Sequence, residues 1–207
     1  MNRREFLQCA GVMISGMSVT QLGMALSPEQ EIYLANAPDY TASNVDYFSP
    51  EQRRVVAAIA ETIIPRTDTP GAIDAGVPRY IELMVSDWLT DAERSVFDTG
   101  LAELMQDAQS QHGQAFDALE AKQQLKMLEA LEDESGDHTW YDLGGAAMRD
   151  FVPDAPFICQ IKEFTIWGFF TSELGSTQVL RNDPMPMEFV PDLPLDKDDS
   201  SWAGGLI

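Results

Sequence analysis

The fold is decided by the stretch AIAETIIPRTDTPGA at residues 58–72, which is followed by AGVP at residues 75–78. Pro65 ends the apolar helical run, because the residue before a proline is pushed out of the α region. A second helix is predicted to begin near Pro78, since the missing N–H of proline costs nothing at the first helical position. The stretch therefore predicts a helix, a rigid polar corner over 66–76 and another helix. It contains no nucleophile–base pair, phosphate-binding glycine loop or metal-ligand spacing, so we expect its function to lie in its shape.

Helix signals continue on both sides of this corner. Ser49 and Gln52 form a capping box that starts the first helix. Thr90 and Glu93 repeat the pattern further along, and Gly113 is predicted to end the helix that Thr90 begins. Apolar residues recur at helical spacing after both boxes, which predicts a buried stripe on each helix.

A fourth predicted helix covers residues 119–131, a run of strong helix formers. Three leucines are spaced to face inward on it: Leu125, Leu128 and Leu131. An acidic break over residues 132–138 is expected to follow. We interpret this break as a solvated turn, because it lacks the alternating oxygen ligands of a calcium loop.

The last predicted helix is the most apolar segment of the chain. Asp154 is expected to cap it, and Pro156 lies in its first turn. Apolar side chains occur on all of its sides, which indicates burial on more than one face. They belong to Phe157, Ile158, Cys159, Ile161, Phe164, Ile166, Trp167, Phe169 and Phe170. Two interpretations stay open: the central helix of a bundle, or a helix that presents one face to another subunit.

The segments that flank these helices are predicted to be largely extended arms, over residues 26–48 and 176–207. Four prolines lie within residues 184–194, and they exclude a helix there. Apolar residues such as Met185 and Phe189 stand among these prolines and need a surface to lie on. No β-hairpin signal is found. The sequence thus predicts an all-α fold, a single helical-bundle domain with an extended N-terminal arm and a proline-rich C-terminal arm.

The first 25 residues have the pattern of an export signal. Arg3 and Arg4 precede the apolar pair Phe6 and Leu7, and a moderately apolar run follows. That run is too polar for a membrane-spanning helix. A charged start, an apolar middle and small residues at its end are typical of a signal peptide, which we expect to be cleaved after Ala25. The paired arginines indicate the twin-arginine route, which carries folded cargo.

The chain is strongly acidic, with 13 Lys and Arg against 34 Asp and Glu and a net charge of −21. Nucleic-acid phosphates and anionic membrane surfaces repel such a chain, which argues against both as partners. The acid excess indicates either a solvated surface that keeps the protein soluble or a surface complementary to a basic partner.

The cysteines and histidines give no catalytic or cofactor pattern. Loss of the signal peptide removes Cys9 and leaves Cys159, which is either a buried small hydrophobe or half of an intermolecular disulfide. His112 and His138 have no candidate nucleophile near them in the sequence. There is no haem-attachment motif, no cysteine set for an iron–sulfur cluster and no dinucleotide-binding glycine motif. The sequence therefore selects no catalytic residue, cofactor-binding residue or metal ligand in this chain.

Several of these segments together match one family. They are the arginine pair Arg3-Arg4, the block ETIIPRTDTPGA at 61–72, the restart at 75–78 and FTSELG at 170–175. With them the chain resembles the gluconate 2-dehydrogenase subunit 3 family, the small subunit of periplasmic flavoprotein dehydrogenases that act on sugars and sugar acids. The resemblance covers essentially the whole chain, with residues 26–207 as the small-subunit domain.

The resemblance implies a division of labour between subunits. A large subunit of the glucose–methanol–choline oxidoreductase type holds FAD and oxidises a sugar, glycoside or sugar acid. A c-type cytochrome, which carries haem c, is often a third subunit. The small subunit is implied to be a non-catalytic companion that carries the export signal for both chains and stabilises the large one. The implied location is the periplasm, with any membrane association made through a partner.

Partner contacts are expected where the chain offers rigid or apolar surface. These positions are Arg66, Thr67, Asp68, Cys159, Trp167, Phe170, Met185 and Phe189, with Cys159 as the candidate for an intersubunit disulfide. Two alternative functions stay open. One is a free-standing periplasmic enzyme that uses its carboxylates, and the other is a transient export chaperone that releases its client.

Overall fold

The computed structural model describes residues 46–142, 150–152, 154–181, 197 and 199–201. The chain divides into two compact units, Met1–Asp46 and Tyr47–Ile207, and the second contains every helix and strand of the described residues. The predictions for the export signal (Arg3, Arg4, Phe6 and Leu7) and for the tail contacts Met185 and Phe189 lie outside the described residues, as does most of both predicted arms.

Within this described part the protein is helical, which confirms the all-α prediction. The five α-helices are α1 (Pro50–Ile63), α2 (Val77–Leu83), α3 (Asp91–His112), α4 (Ala121–Ser135) and α5 (Phe157–Phe170). Short helical turns of π or 3₁₀ type lie at Met84–Trp88, Phe116–Ala118 and Gly175–Val179. A pair of two-residue antiparallel strands, β1 (Tyr141–Asp142) and β2 (Asp150–Phe151), joins Tyr141 to Phe151 and was not foreseen from the sequence. None of the helices in the described ranges is long and apolar enough to cross a bilayer.

Several helix boundaries predicted from local signals are confirmed. The Ser49 side chain accepts a hydrogen bond from the Gln52 amide at 3.2 Å, and the Gln52 side chain accepts one from the Ser49 amide at 2.9 Å. Thr90 and Glu93 form the same reciprocal pair at the start of α3. Gly113 ends α3 with φ of 69°, a left-handed conformation that favours glycine. These ends are set by neighbours in the chain, which is why the sequence predicts them.

Two predicted boundaries are wrong, one by four residues and the other by two. Helix α4 continues through Ser135, because no helix breaker precedes Gly136, which has φ of 57°. The acidic break is therefore helical over its first four residues. Helix α5 begins at Phe157 instead of directly after Asp154. The amide of Ala155 donates to the Val152 carbonyl, so this segment turns after β2 before the helix can start.

One predicted core residue on α4 is also wrong. Leu125 is 47% exposed, whereas Met127 and Leu128 are buried and Leu131 is half-buried. The face of α4 that packs inward is thus centred away from Leu125. The 3.6-residue period predicts the spacing of apolar residues along a helix, but it does not predict which face of the helix is buried.

Helix α5 occupies the centre of the domain. It contacts each of the other four α-helices, and eight of its residues are buried. Two glycines allow this close packing. A Cβ added at Gly168 would lie 2.6 Å from the Tyr80 ring, and one added at Gly100 would lie 2.3 Å from the Phe157 Cβ. The interpretation of α5 as the central helix of a bundle is therefore supported, although its last turn also reaches the surface.

Candidate functional site

The corner between α1 and α2 is held by a carboxylate. Glu61, in the last turn of α1, accepts a hydrogen bond from the Arg66 amide through Oε1 and another from the Ile73 amide through Oε2, each at 2.9 Å. The Ala72 amide donates to the Ile64 carbonyl at 2.9 Å and closes the loop at its base. Glu61 thus satisfies two main-chain donors of the corner, which lie outside the helices and have no helical partner.

A second carboxylate fixes the other side of this corner. Asp74 accepts from the Arg66 Nε at 2.6 Å and from the Gly71 amide at 3.0 Å, and it also pairs with the far nitrogen of the Arg66 guanidinium. Gly71 is required because a Cβ there would lie 2.4 Å from the Glu61 Oε1 and 2.6 Å from the Arg66 amide nitrogen. The corner is therefore built around a close main-chain approach that only glycine permits.

The outer surface of the corner is exposed. Arg66, Thr67 and Asp68 all face solvent, and Ile73 is 52% exposed. Because Glu61 and Asp74 are already engaged with main-chain amides and with Arg66, the corner presents a fixed shape and not a proton-transfer pair. Such a surface is suited to contact with another protein.

The end of α5 presents a second exposed surface. Phe170 is 38% exposed and Ile166 is 36% exposed, and they lie one turn apart on the helix. Trp167, between them in the chain, is half-buried and stacks on the buried Trp140 with ring centroids 5.7 Å apart. The stacking packs the last turn of α5 against the core, and the two exposed apolar side chains project from this packed turn.

Cys159 lies two turns earlier on α5. Its side chain is half-buried, and the thiol donates a hydrogen bond to the His138 carbonyl at 3.3 Å. Burial raises the pKa of the Cys159 thiol, against the smaller opposing effects of Ser135 and the Lys162 ammonium. Among the described residues Cys159 forms no disulfide. The side chain is packed yet not sealed from solvent, so both interpretations of Cys159 stay predictions.

Glu82 is a buried acid whose role is not predicted by the sequence. It is 6% exposed, and its carboxylate accepts from the Tyr47 and Phe48 amides, each at 2.9 Å, and from the Arg53 guanidinium at 2.9–3.2 Å. Burial alone would raise the pKa of Glu82, but the bonds from Arg53 and from the two amides outweigh it, so the pKa is lowered. The sequence offers one signal for this role: Glu82 is the single acid of α2 and stands next to the apolar Ile81.

The hydrogen bonds of Glu82 to Tyr47, Phe48 and Arg53 form an anchor for the start of α1. Aromatic contacts of Tyr47 and Phe48 add to this anchor. Phe48 is buried and stacks on Phe97 of α3 with centroids 6.0 Å apart. The Tyr47 hydroxyl donates to Asp98 at 2.6 Å, and burial together with that carboxylate raises the pKa of Tyr47 to about 12. Tyr47 and Phe48 therefore hold the start of the domain firmly against α2 and α3.

The residues that the structure describes assemble no metal-binding cluster. Their His, Cys, Asp and Glu side chains form no group of three or more that could hold a metal ion. The two most buried acids, Glu82 and Glu93, bind main-chain amides. The expected contact residues fall on two surfaces: Arg66, Thr67 and Asp68 on the corner, and Cys159, Trp167 and Phe170 along α5.

Comparison with known proteins gives one family. The family model described as gluconate 2-dehydrogenase subunit 3 matches residues 50–187, which include all five α-helices, the corner and Cys159. No curated protein and no solved structure shows a significant match. The matched region is about two thirds of the chain, and on this basis the chain belongs to the gluconate 2-dehydrogenase subunit 3 family, whose name describes a small subunit of a dehydrogenase complex.

Proposed function

We propose that this chain is the non-catalytic small subunit of an exported FAD-dependent dehydrogenase that oxidises a sugar, a glycoside or a sugar acid. The observation that carries the proposal is the family match over residues 50–187. The proposed partner is a large subunit of the glucose–methanol–choline type that holds the FAD. A c-type cytochrome with haem c is proposed as a third subunit.

The arrangement of polar groups in the domain supports a structural role. Glu61, Asp74, Glu82 and Glu93 all bind main-chain amides at or near helix ends. Carboxylates used in this way stabilise the fold and are not available to transfer protons to a substrate. What the described surface does offer is rigid shape at the corner and fixed apolar side chains at the end of α5.

The proposed partner surface combines these two regions with the tail. Arg66, Thr67 and Asp68 would contact the large subunit from the corner. Along α5 the contacts would be Trp167, Phe170 and Cys159, and the last of these is the candidate for an intersubunit disulfide. Met185 and Phe189 would extend the contact along the tail. Aromatic side chains at fixed positions are typical of the residues that dominate binding energy at interfaces.

Export is the second part of the proposed role. The arginine pair Arg3 and Arg4, with Phe6 and Leu7 after it, would direct both subunits through the twin-arginine route to the periplasm. A flavin must be bound before translocation, and this route carries folded proteins. Any association of the complex with the membrane would be made through a partner.

Copurification from a host that expresses this chain with its flavoprotein partner tests the proposed complex. We expect the two chains to elute together with a flavin absorbance spectrum, whereas this chain alone should elute without flavin and without dehydrogenase activity. Flavin retained by the isolated chain, or turnover without a second subunit, would contradict the proposal.

The export role is tested in the same host. Deletion of residues 1–25 from this chain should leave the flavoprotein in the cytoplasm, and the double variant Arg3→Lys/Arg4→Lys should slow export of both chains. As a control, the variant Lys122→Arg/Lys126→Arg changes exposed cations elsewhere and should export normally. A flavoprotein that reaches the periplasm at the normal rate without residues 1–25 would contradict this part of the proposal.

A further inference from the structure

An open groove lies between α3, the end of α4 and the start of α5. Its volume is about 760 Å³, and its apolar floor includes the half-buried Val96, Leu131 and Pro156 beside the buried Leu104, Phe157 and Ile158. Pockets for small molecules can have this volume, but they bury most of the ligand surface. This groove is open to solvent, and that geometry suits the side chains of a protein segment better than a small molecule.

Acidic side chains line the same groove. Glu103 and Asp107 of α3 and Glu134 of α4 are all exposed, and no Lys, Arg or His is among the lining residues. None of these three carboxylates is paired with a cation in the described residues. The nearby Glu132, by contrast, pairs with Lys162 on α5. The groove therefore concentrates negative charge that the chain itself does not neutralise.

The spacing of these acids lowers the stability of α3. Glu103 and Asp107 are four residues apart on α3, and like charges at this spacing repel each other and destabilise a helix. A cation brought by another molecule would relieve the repulsion. An apolar floor with an unneutralised acidic edge is complementary to a segment that carries a positive charge beside apolar side chains.

We infer that this groove binds a segment of the flavoprotein subunit in which a lysine or an arginine stands beside apolar side chains. The inference rests on the proposed function, because it requires that subunit as a partner. The apolar side chains of the segment cover Val96, Leu131 and Pro156. Its cation lies among Glu103, Asp107 and Glu134 and binds their carboxylates.

Charge removal tests the acidic edge. The variant Glu103→Gln/Asp107→Asn/Glu134→Gln keeps the side-chain shapes, and Glu51→Gln/Glu129→Gln/Asp137→Asn is the matched control with the same loss of charge at exposed positions outside the groove. The dissociation constant for the flavoprotein subunit should rise about tenfold for the groove variant at low salt and much less for the control. The difference should shrink in high salt, because exposed charges are then screened.

A crosslinker placed in the groove identifies the occupant. Thr99 is exposed and lines the groove, and its hydroxyl bonds only to the Ser95 carbonyl in its own helix, so p-benzoylphenylalanine at this position should leave the fold intact. Irradiation of the complex should link this chain to a flavoprotein peptide that contains Lys or Arg beside apolar residues. A link to a second copy of this chain, or no link within an intact complex, would overturn the inference.

The two proposals fail in different ways. If the unaltered chain binds no flavoprotein subunit, the proposed function is wrong and the groove inference falls with it. If the unaltered chain binds the subunit and the groove variant binds as tightly as the control, only the groove inference is wrong. Thermal unfolding of both triple variants shows whether a weaker complex reflects lost contact or a damaged fold.

Discussion

The carboxylate of Glu61 accepts a hydrogen bond from the amide of Arg66 at 2.9 Å, across the proline that ends α1. The same side chain binds the Ile73 amide on the far side of the corner. One acid in the last helical turn therefore binds the main chain at both ends of an exposed loop. This is how a segment with no catalytic residue acquires a defined shape, and it makes Glu61 a residue that positions Arg66, Thr67 and Asp68.

Replacement of Gly71 by alanine should distort this corner. The added Cβ would lie 2.4 Å from the Glu61 Oε1 and 2.6 Å from the Arg66 amide nitrogen, and the latter is main chain that cannot move aside cheaply. We expect a loss of about 2 kcal/mol in the free energy of unfolding, measured with urea. We also expect weaker binding to the flavoprotein subunit, because the exposed residues of the corner would shift.

Gly76 provides the matched control for this substitution. It has φ of 74°, and nothing lies within 4 Å of an added Cβ. Gly76→Asn should therefore lower the free energy of unfolding much less than Gly71→Ala does, since asparagine tolerates the left-handed region. Equal losses for the two variants would show that the Glu61 contact does not determine the shape of the corner.

Replacement of Glu82 should expose the energetics of the buried anchor. In Glu82→Gln the amide cannot accept from Arg53, Tyr47 and Phe48 together, and its own N–H group faces the guanidinium. We expect a loss of about 2 kcal/mol in unfolding free energy at pH 7, toward the low end for a broken buried pair because Arg53 is partly exposed. Glu129→Gln, at an exposed position on α4, should have little effect.

The anchor also predicts a pH dependence. The pKa of Glu82 is lowered in the folded chain from its ordinary value of 4.5, so the unfolded chain binds the proton more readily. Its contribution to stability is therefore complete above pH 4.5 and is lost as the pH falls through the folded pKa. Unfolding free energies of the unaltered chain and of Glu82→Gln should converge as the pH is lowered from 7 to 3. A constant difference over this range would contradict the lowered pKa.

Cys159 should react slowly with thiol reagents in the free chain. Burial raises its pKa above the ordinary value of 9.0, and only the thiolate is a strong nucleophile. In a Cys9→Ser background, labelling near pH 7 should be slow and should accelerate as the pH is raised. An exposed reference cysteine, Ser110→Cys in a chain that also lacks Cys159, should react faster at every pH.

Non-reducing electrophoresis of the complex then separates the two interpretations of Cys159. An intersubunit disulfide should give one band that contains both chains, and Cys159→Ser should abolish it. Separate bands would contradict the disulfide and leave Cys159 as a small packed side chain. That outcome would not affect the proposed function, because the corner and the end of α5 do not depend on it.

Local signals in the sequence predict much of this fold. The capping box at Ser49, the helix end at Pro65 and the left-handed Gly113 each depend on residues within one turn of the chain. Periodicity identified the stripe on α1, whose Val55, Val56 and Ile59 are buried. What local signals could not predict was which side of α4 is buried, since that depends on where α1 and α5 pack.

The candidate site also has a part that the sequence predicts and a part that it does not. The corner was predicted because Pro65 and Gly71 mark it directly in the sequence. Glu82 was missed because its partners at Tyr47 and Phe48 lie 35 and 34 residues earlier, and no spacing rule links them. The groove was missed for the same reason, since its lining comes from three helices and is spread over residues 95–158.

Adjacent phenylalanines at the end of α5 provide the sharpest test of the partner surface. Phe169 is 2% exposed, whereas Phe170 is 38% exposed. Phe169→Ala should cost about 3 kcal/mol in unfolding free energy, because it leaves a cavity in the core. Phe170→Ala should cost much less in the free chain, yet it should weaken binding to the flavoprotein subunit about tenfold, since an exposed aromatic at a fixed position is suited to anchor an interface. Calorimetric titration of the two variants, beside their urea unfolding curves, measures both quantities. If Phe170→Ala binds as tightly as the unaltered chain, the last turn of α5 is not part of the interface.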